Sequence, residues 1–148
     1  MTQQTEKQQT KDNLAAAQSR RLETLEKRYR NAARGQFESR AAYYRQVTGG
    51  HYTSITVRDQ KTRWGSCSSR GTLSFNYLLI FAPPAVLDYV VVHELCHLTH
   101  MNNSKNFWDM VGSIMPEYRV YRQWLRDHGQ ELTLENHLSR RGIPVTLV

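Results

Sequence analysis

Apolar and small residues recur at steps of three and four through Leu22, Leu25, Tyr29, Ala33, Phe37, Ala41 and Tyr44. That period predicts an amphipathic helical lead-in over residues 14–47, one helix or two joined at Gly35, closed by Gly49 and Gly50. The pattern then shortens. TSITVR (Thr53–Arg58) alternates and reads as a strand, as does TLSFNYLLI (Thr72–Ile80); the polar turn-formers around Trp64 between them predict a short strand and a hairpin. Pro83 and Pro84 open a helix reaching about Met101, apolar on most sides through Val90, Val91, Val92, Leu95, Cys96 and Leu98. Ser104 is placed to cap a third helix carrying Phe107, Trp108, Val111 and Ile114. Pro116 opens a fourth with Val120, Tyr121, Trp124 and Leu125 inward, and Gly129 closes it. The order of elements predicts a single α+β domain over residues 14–130: a small antiparallel sheet (53–80) on a buried spine helix (84–101), followed by helices over 104–128. The polar residues 1–13 read as a disordered tail, and residues 131–148, which lack a period, as a C-terminal tail.

Composition narrows the class without changing that picture. A chain of 148 residues, 22% charged and 39% hydrophobic, suits one soluble domain with a real core, and no window is apolar for long enough to span a membrane. The opening MTQQTEKQQTKDN has no basic-then-apolar signal pattern, so the expected location is the cytoplasm. Cys67 and Cys96 are expected to be free thiols, both small buried residues. The net charge of +7 lies entirely in the front half, where residues 1–63 hold 13 Lys and Arg against 6 Asp and Glu. These charges alternate with acids and lack interleaved aromatics, which reads as a solvated helix; the other reading is a basic face for nucleic acid or a nucleotide.

The stretch HELCHLTHMNNS (His93–Ser104) carries the candidate chemistry. His93 and His97 are four apart, so on a helix they project from one face about 6 Å apart along the axis and can close on one Zn²⁺. Glu94 lies about 100° around from His93, placed to take a proton from an attacking water and return it to the leaving group. Two histidines and a glutamate inside an apolar helix need a reason to be buried, and a metal supplies one. A catalytic zinc wants a third protein ligand. His100 shares the helical face, but three ligands strung along one straight helix form a line. Asn103 lies past the helix end, where the chain can turn back, yet offers only a neutral amide oxygen, a donor better suited to harder cations. Glu117, Asp109, His128 and His51 are more distant candidates, His128 being better placed to meet the final carbonyls of its own helix.

From Val57 to Trp108, VRDQKTRWGSCSSRGTLSFNYLLIFAPPAVLDYVVVHELCHLTHMNNSKNFW resembles the YgjP-like zinc metallopeptidase family, related to the SprT and WLM peptidases. A looser likeness runs from about Arg28 to Gly129. The resemblance rests on HExxH joined to RWGSCSS upstream and to MNxS followed by FW downstream. It implies a compact zincin-like domain in which His93 and His97 bind zinc and Glu94 is the catalytic base. The family's third ligand is a histidine in an MNHS segment, and Asn103 stands at that position. The resemblance implies a peptide or protein substrate, with Arg63, Trp64 and the strand around Phe75 to Tyr77 bordering a groove where a peptide adds as a strand; core packing is the plainer reading of Trp64. Two other functions are expected as alternatives, the first implied by the same likeness and the second by the positive surface. One is pyrophosphate release from a nucleoside triphosphate, specifically UTP, with Lys61, Arg63 and Arg70 as the nearest cations. The other is a degenerate, non-catalytic zincin that binds nucleic acid or a protein partner.

Overall fold

The computed structural model describes residues 3–59 and 62–143, so Met1, Thr2, Gln60, Lys61 and the last five residues of the expected C-terminal tail lie outside the described residues. Its first element, α1 (Gln3–Thr48), is one helix of 46 residues, unbroken at Gly35. A glycine there costs a helix about 1 kcal/mol against alanine, too little to break one held by packing further along. The expected disordered segment is helical from Gln3 onward. Its composition is polar, but Gln, Glu, Lys and Ala are good helix formers and no proline or glycine interrupts them, so the packed half of α1 propagates outward through it. Residues 5–17 are exposed on every side. Gly49, in the left-handed region with φ 71°, ends the helix and donates its N–H to the Arg45 carbonyl at 2.8 Å.

Only the second half of α1 enters the core. Ala33, Phe37 and Ala41 are wholly buried, and the Phe37 ring stacks on Phe75 with centroids 4.6 Å apart. On the adjoining face, Arg40 makes two parallel hydrogen bonds to Asp88, each 2.8 Å, and Tyr44 donates to the same carboxylate at 3.1 Å. This fork fixes the rotation of α1 against the spine helix.

The sheet has three strands, β1 (Ser54–Arg58), β2 (Gly65–Cys67) and β3 (Thr72–Asn76), in the order β1-β3-β2. β2 and β3 form the expected hairpin, turning at Gly71, but β1 pairs with β3 in parallel, so the sheet is mixed where an antiparallel one was expected. Alternation reveals a strand but not its direction. The six residues 59–64 are long enough to carry the chain past one intervening strand to the far edge, which leaves β3 between its two predecessors. β3 also stops early, at Asn76, whose side chain accepts from the Leu78 N–H and starts a 3₁₀ turn over Tyr77–Phe81.

The spine helix α2 (Pro84–His97) begins at its proline as expected and ends four residues short of Met101. The cause is local: the chain leaves the helix so that the His100 carbonyl can accept from the His97 ring. Next come α3 (Lys105–Ile114), capped by the Ser104 hydroxyl, and α4 (Tyr118–His128). The region read as a C-terminal tail contains α5 (Leu134–Arg140), capped by Thr133, with Leu134 and Leu138 buried and His137 stacked on Phe81 at 4.1 Å. Among the described residues no helix is long and apolar enough to cross a membrane.

Candidate metal centre

α2 is buried on nearly every side, so the polar groups of its last turn are held rigidly. One ligand atom each from His93, Glu94 and His97 lies within 4.8 Å of the others. Phe107 of α3 is the wedge beneath them, its ring stacked on His97 at 4.1 Å and edge-on to His93 at 5.0 Å. Tyr89 and Trp108 close on His93 at 5.9 and 5.7 Å.

Hydrogen bonding then settles which ring nitrogens face outward. His97 Nδ1 donates to the His100 carbonyl at 2.9 Å, and His93 Nδ1 donates to Glu94 Oε2 at 3.0 Å. Each bond fixes the tautomer and leaves Nε2 with its lone pair, the form in which an imidazole binds a metal. Glu94 reaches His93, its chain neighbour, by folding back under β2. The space exists because residue 65 is glycine: a Cβ there would stand 3.0 Å from Glu94 Cγ and 3.0 Å from Val90 Cγ1. Glu94 is only 5% exposed, and the carboxylate Oε2 accepting from His93 is what satisfies it there.

The other sequence candidates divide cleanly. Asn103 lines a cavity of about 600 Å³ together with His93, Glu94 and His97. The His100 ring stays outside the cluster, and its contribution is the carbonyl that orients His97. His51 sits against Arg45 at 2.7 Å, Glu117 accepts from the Tyr121 hydroxyl at 3.2 Å, and Asp109 borders a separate hollow. His128 pairs with the Glu131 carboxylate at 3.2 Å instead of the helix carbonyls.

Cys67 departs from its expected role as a plain buried residue. It is half-buried on β2 and lines the same cavity as the two histidines; burial, with Glu94 nearby, pushes its thiol up to about 11. Cys96 behaves as expected, wholly buried with its thiol raised by burial to about 12. Both cysteines are free. Trp64 combines its two readings: it packs over Gly129, where a Cβ would meet its ring at 2.8 Å, and also borders the hollow beside Glu94. Arg63 borders the cavities on both sides of Glu94, whereas Phe75 is sealed in the core against Phe37 and Arg70 reaches neither cavity.

Residues 1–128 match the family model described as the YgjP-like metallopeptidase domain. The chain belongs to the YgjP-like metallopeptidase family. Its fold is similar to that of the metallopeptidase zymogen of Pyrococcus abyssi abylysin, with TM-score 0.56 and 19% identity over 64% of this chain and 93% of that one. No curated protein matches. For a YgjP-like metallopeptidase the donor chemistry fits zinc at two corners, the Nε2 atoms of His93 and His97. Beyond them, Asn103 brings an amide, and no third imidazole of the described residues lines the same cavity.

Proposed function

We propose that this YgjP-like protein hydrolyses peptide bonds, with His93 and His97 holding zinc through Nε2, Asn103 at the third corner and Glu94 as the general base. The observation that carries the reading is the pair of Nδ1 hydrogen bonds, which turns both free nitrogens and the Glu94 carboxylate into one cluster. When bound, zinc supplies Lewis acidity to the scissile carbonyl. Glu94 accepts the proton of the attacking water and passes it to the leaving amine. Its hydrogen bond from His93 orients the carboxylate, and the apolar walls of α2 and α3 limit competing solvent. β2 is an edge strand beside the cluster, so an extended peptide can pair with its open side and bring a carbonyl to the histidines.

Replacing Glu94 with Gln keeps the shape and removes the base. Peptide hydrolysis is expected to fall by about two to four orders of magnitude while zinc content stays near that of the parent. Equal turnover in E94Q would remove Glu94 from the mechanism. Asn103→His supplies the missing imidazole: zinc is expected to bind at least about tenfold tighter and activity to rise with it. Unchanged zinc affinity would mean that position 103 does not face the ion.

A further inference from the structure

On the side of Glu94 away from Asn103 lies a second hollow of about 390 Å³, which shares Arg63, Gly65, His93 and Glu94 with the first. Its remaining walls come from Trp64, from Tyr89 and Val90 in the middle of α2, and from one face of α4. We propose that this hollow, ringed by Arg63, Arg122 and Arg126, takes a carboxylate of the peptide substrate beside the scissile bond. The proposal rests on the peptidase reading and adds the substrate class.

Charge is the first argument. Arg122 and Arg126 are four apart on α4 and so share a face, while Arg63 enters from the loop before β2. None of the three meets a carboxylate of a described residue within ion-pair distance. The lining holds a single acid, Glu94, and that group already accepts from His93. The one acid of α4, Asp127, accepts from Gln123 at 2.9 Å.

Order is the second argument. The Arg122 guanidinium lies 4.7 Å over the Trp108 ring, which is itself stacked on Tyr118 at 5.3 Å and edge-on to His93 at 5.7 Å. A cation held this way loses little further freedom on binding an anion. The buried Tyr89 lines the same hollow as Arg122 and Arg126, so the two guanidiniums border one space.

Shape is the third. Trp64, Val90 and Leu125 give apolar walls that can hold the methylene stem of a side chain and keep water from its charged end. Guanidinium groups pair two-pronged with carboxylates, so an acidic residue fits this hollow better than its amide or a basic residue.

The test uses the full chain in two assays. The first is cleavage, with added zinc, of quenched peptides that carry Glu, Gln or Arg at each position flanking the scissile bond, with free or amidated C-termini. At one position Glu is expected to exceed Gln by about tenfold or more in kcat/KM. In R122Q that ratio is expected to fall toward one, and in R126E to invert in favour of Arg. A Glu-over-Gln preference in amidated peptides assigns the carboxylate to a side chain, and a preference for free over amidated C-termini assigns it to the substrate's C-terminus; either supports the proposal. Efficient cleavage with neither preference overturns it and leaves the peptidase reading standing.

The second assay needs neither zinc nor turnover. Trp64 lines the hollow and Trp108 lies under its Arg122, so a Glu-containing peptide titrated into metal-free protein is expected to change tryptophan fluorescence saturably. The change is expected to weaken in salt, to vanish in R126E and to be absent with the Gln counterpart. If no peptide is cleaved, the peptidase reading fails while this titration still decides the hollow. Absence of binding, or a response to UTP with pyrophosphate release where acidic peptide gives none, overturns the proposal.

Discussion

Gly65 illustrates how one missing methyl positions a reactive group. Glu94 occupies the volume that a side chain at 65 would take, with Cγ 3.0 Å from the would-be Cβ. Gly65→Ala is therefore expected to displace the carboxylate by a few tenths of an ångström and lower kcat by about tenfold to a hundredfold. Thermal stability should shift by only about 5 °C or less, because Glu94 is a side chain that can yield. A kcat equal to the parent's would show that Glu94 is held from elsewhere. The glycine of RWGSCS was visible in the sequence as part of a motif, but its reason was not, since a close approach between strand and helix exists only in the folded chain. The same holds for Cys67, which by sequence was an isolated thiol and by structure lines the metal-side cavity. In contrast, His93, Glu94 and His97 could be grouped from spacing alone, because helical geometry brings residues four apart together without help from tertiary structure.

Among elements, α5 shows the limit of periodicity. Its buried positions Leu134 and Leu138 are four apart, but two positions in seven residues, with Leu132 two before the first, are too few to establish a period. The direction of β1 was likewise invisible, whereas the Ser104 cap and the glycine end of α1 were readable from residue type. α5 also carries a consequence for pH. Burial, and then Arg141 and Arg140, hold the His137 imidazole below its ordinary value, and its Nε2 has no hydrogen-bond partner among the described residues. The folded state therefore takes up a proton less readily than the unfolded chain, whose imidazole titrates near about 6.5. The sign follows: stability is full above that pH, falls as the pH drops through it, and levels off below the folded value, where both states are protonated. Melting curves between about pH 7.5 and pH 5 should show this slope, and His137→Phe, which keeps the stack on Phe81, should flatten it. Identical slopes in both proteins would clear His137 of the effect.

Across the whole molecule, the site is assembled where α2, α3, α4 and β2 converge, while α1 serves the core with its second half alone. Most of the basic excess of the first 63 residues lies on α1, alternating with acids as in the Arg30–Glu26 pair at 3.0 Å. That charge is separate from the arginines of α4, which Arg63 alone joins from the front half of the chain. At about 1.5 Å per residue α1 is about 69 Å long, against a radius of gyration of about 15 Å for a compact chain of this size. The exposed turns over residues 5–17 form a rod that displaces solvent without adding packing. Translational drag rises accordingly: the monomer is expected to elute from a sizing column ahead of compact standards of its 17.3 kDa mass. Removal of residues 1–17 is expected to restore compact elution and leave the melting temperature within about 2 °C. A protein that looks like a dimer by elution and a monomer by light scattering would carry the signature of that rod.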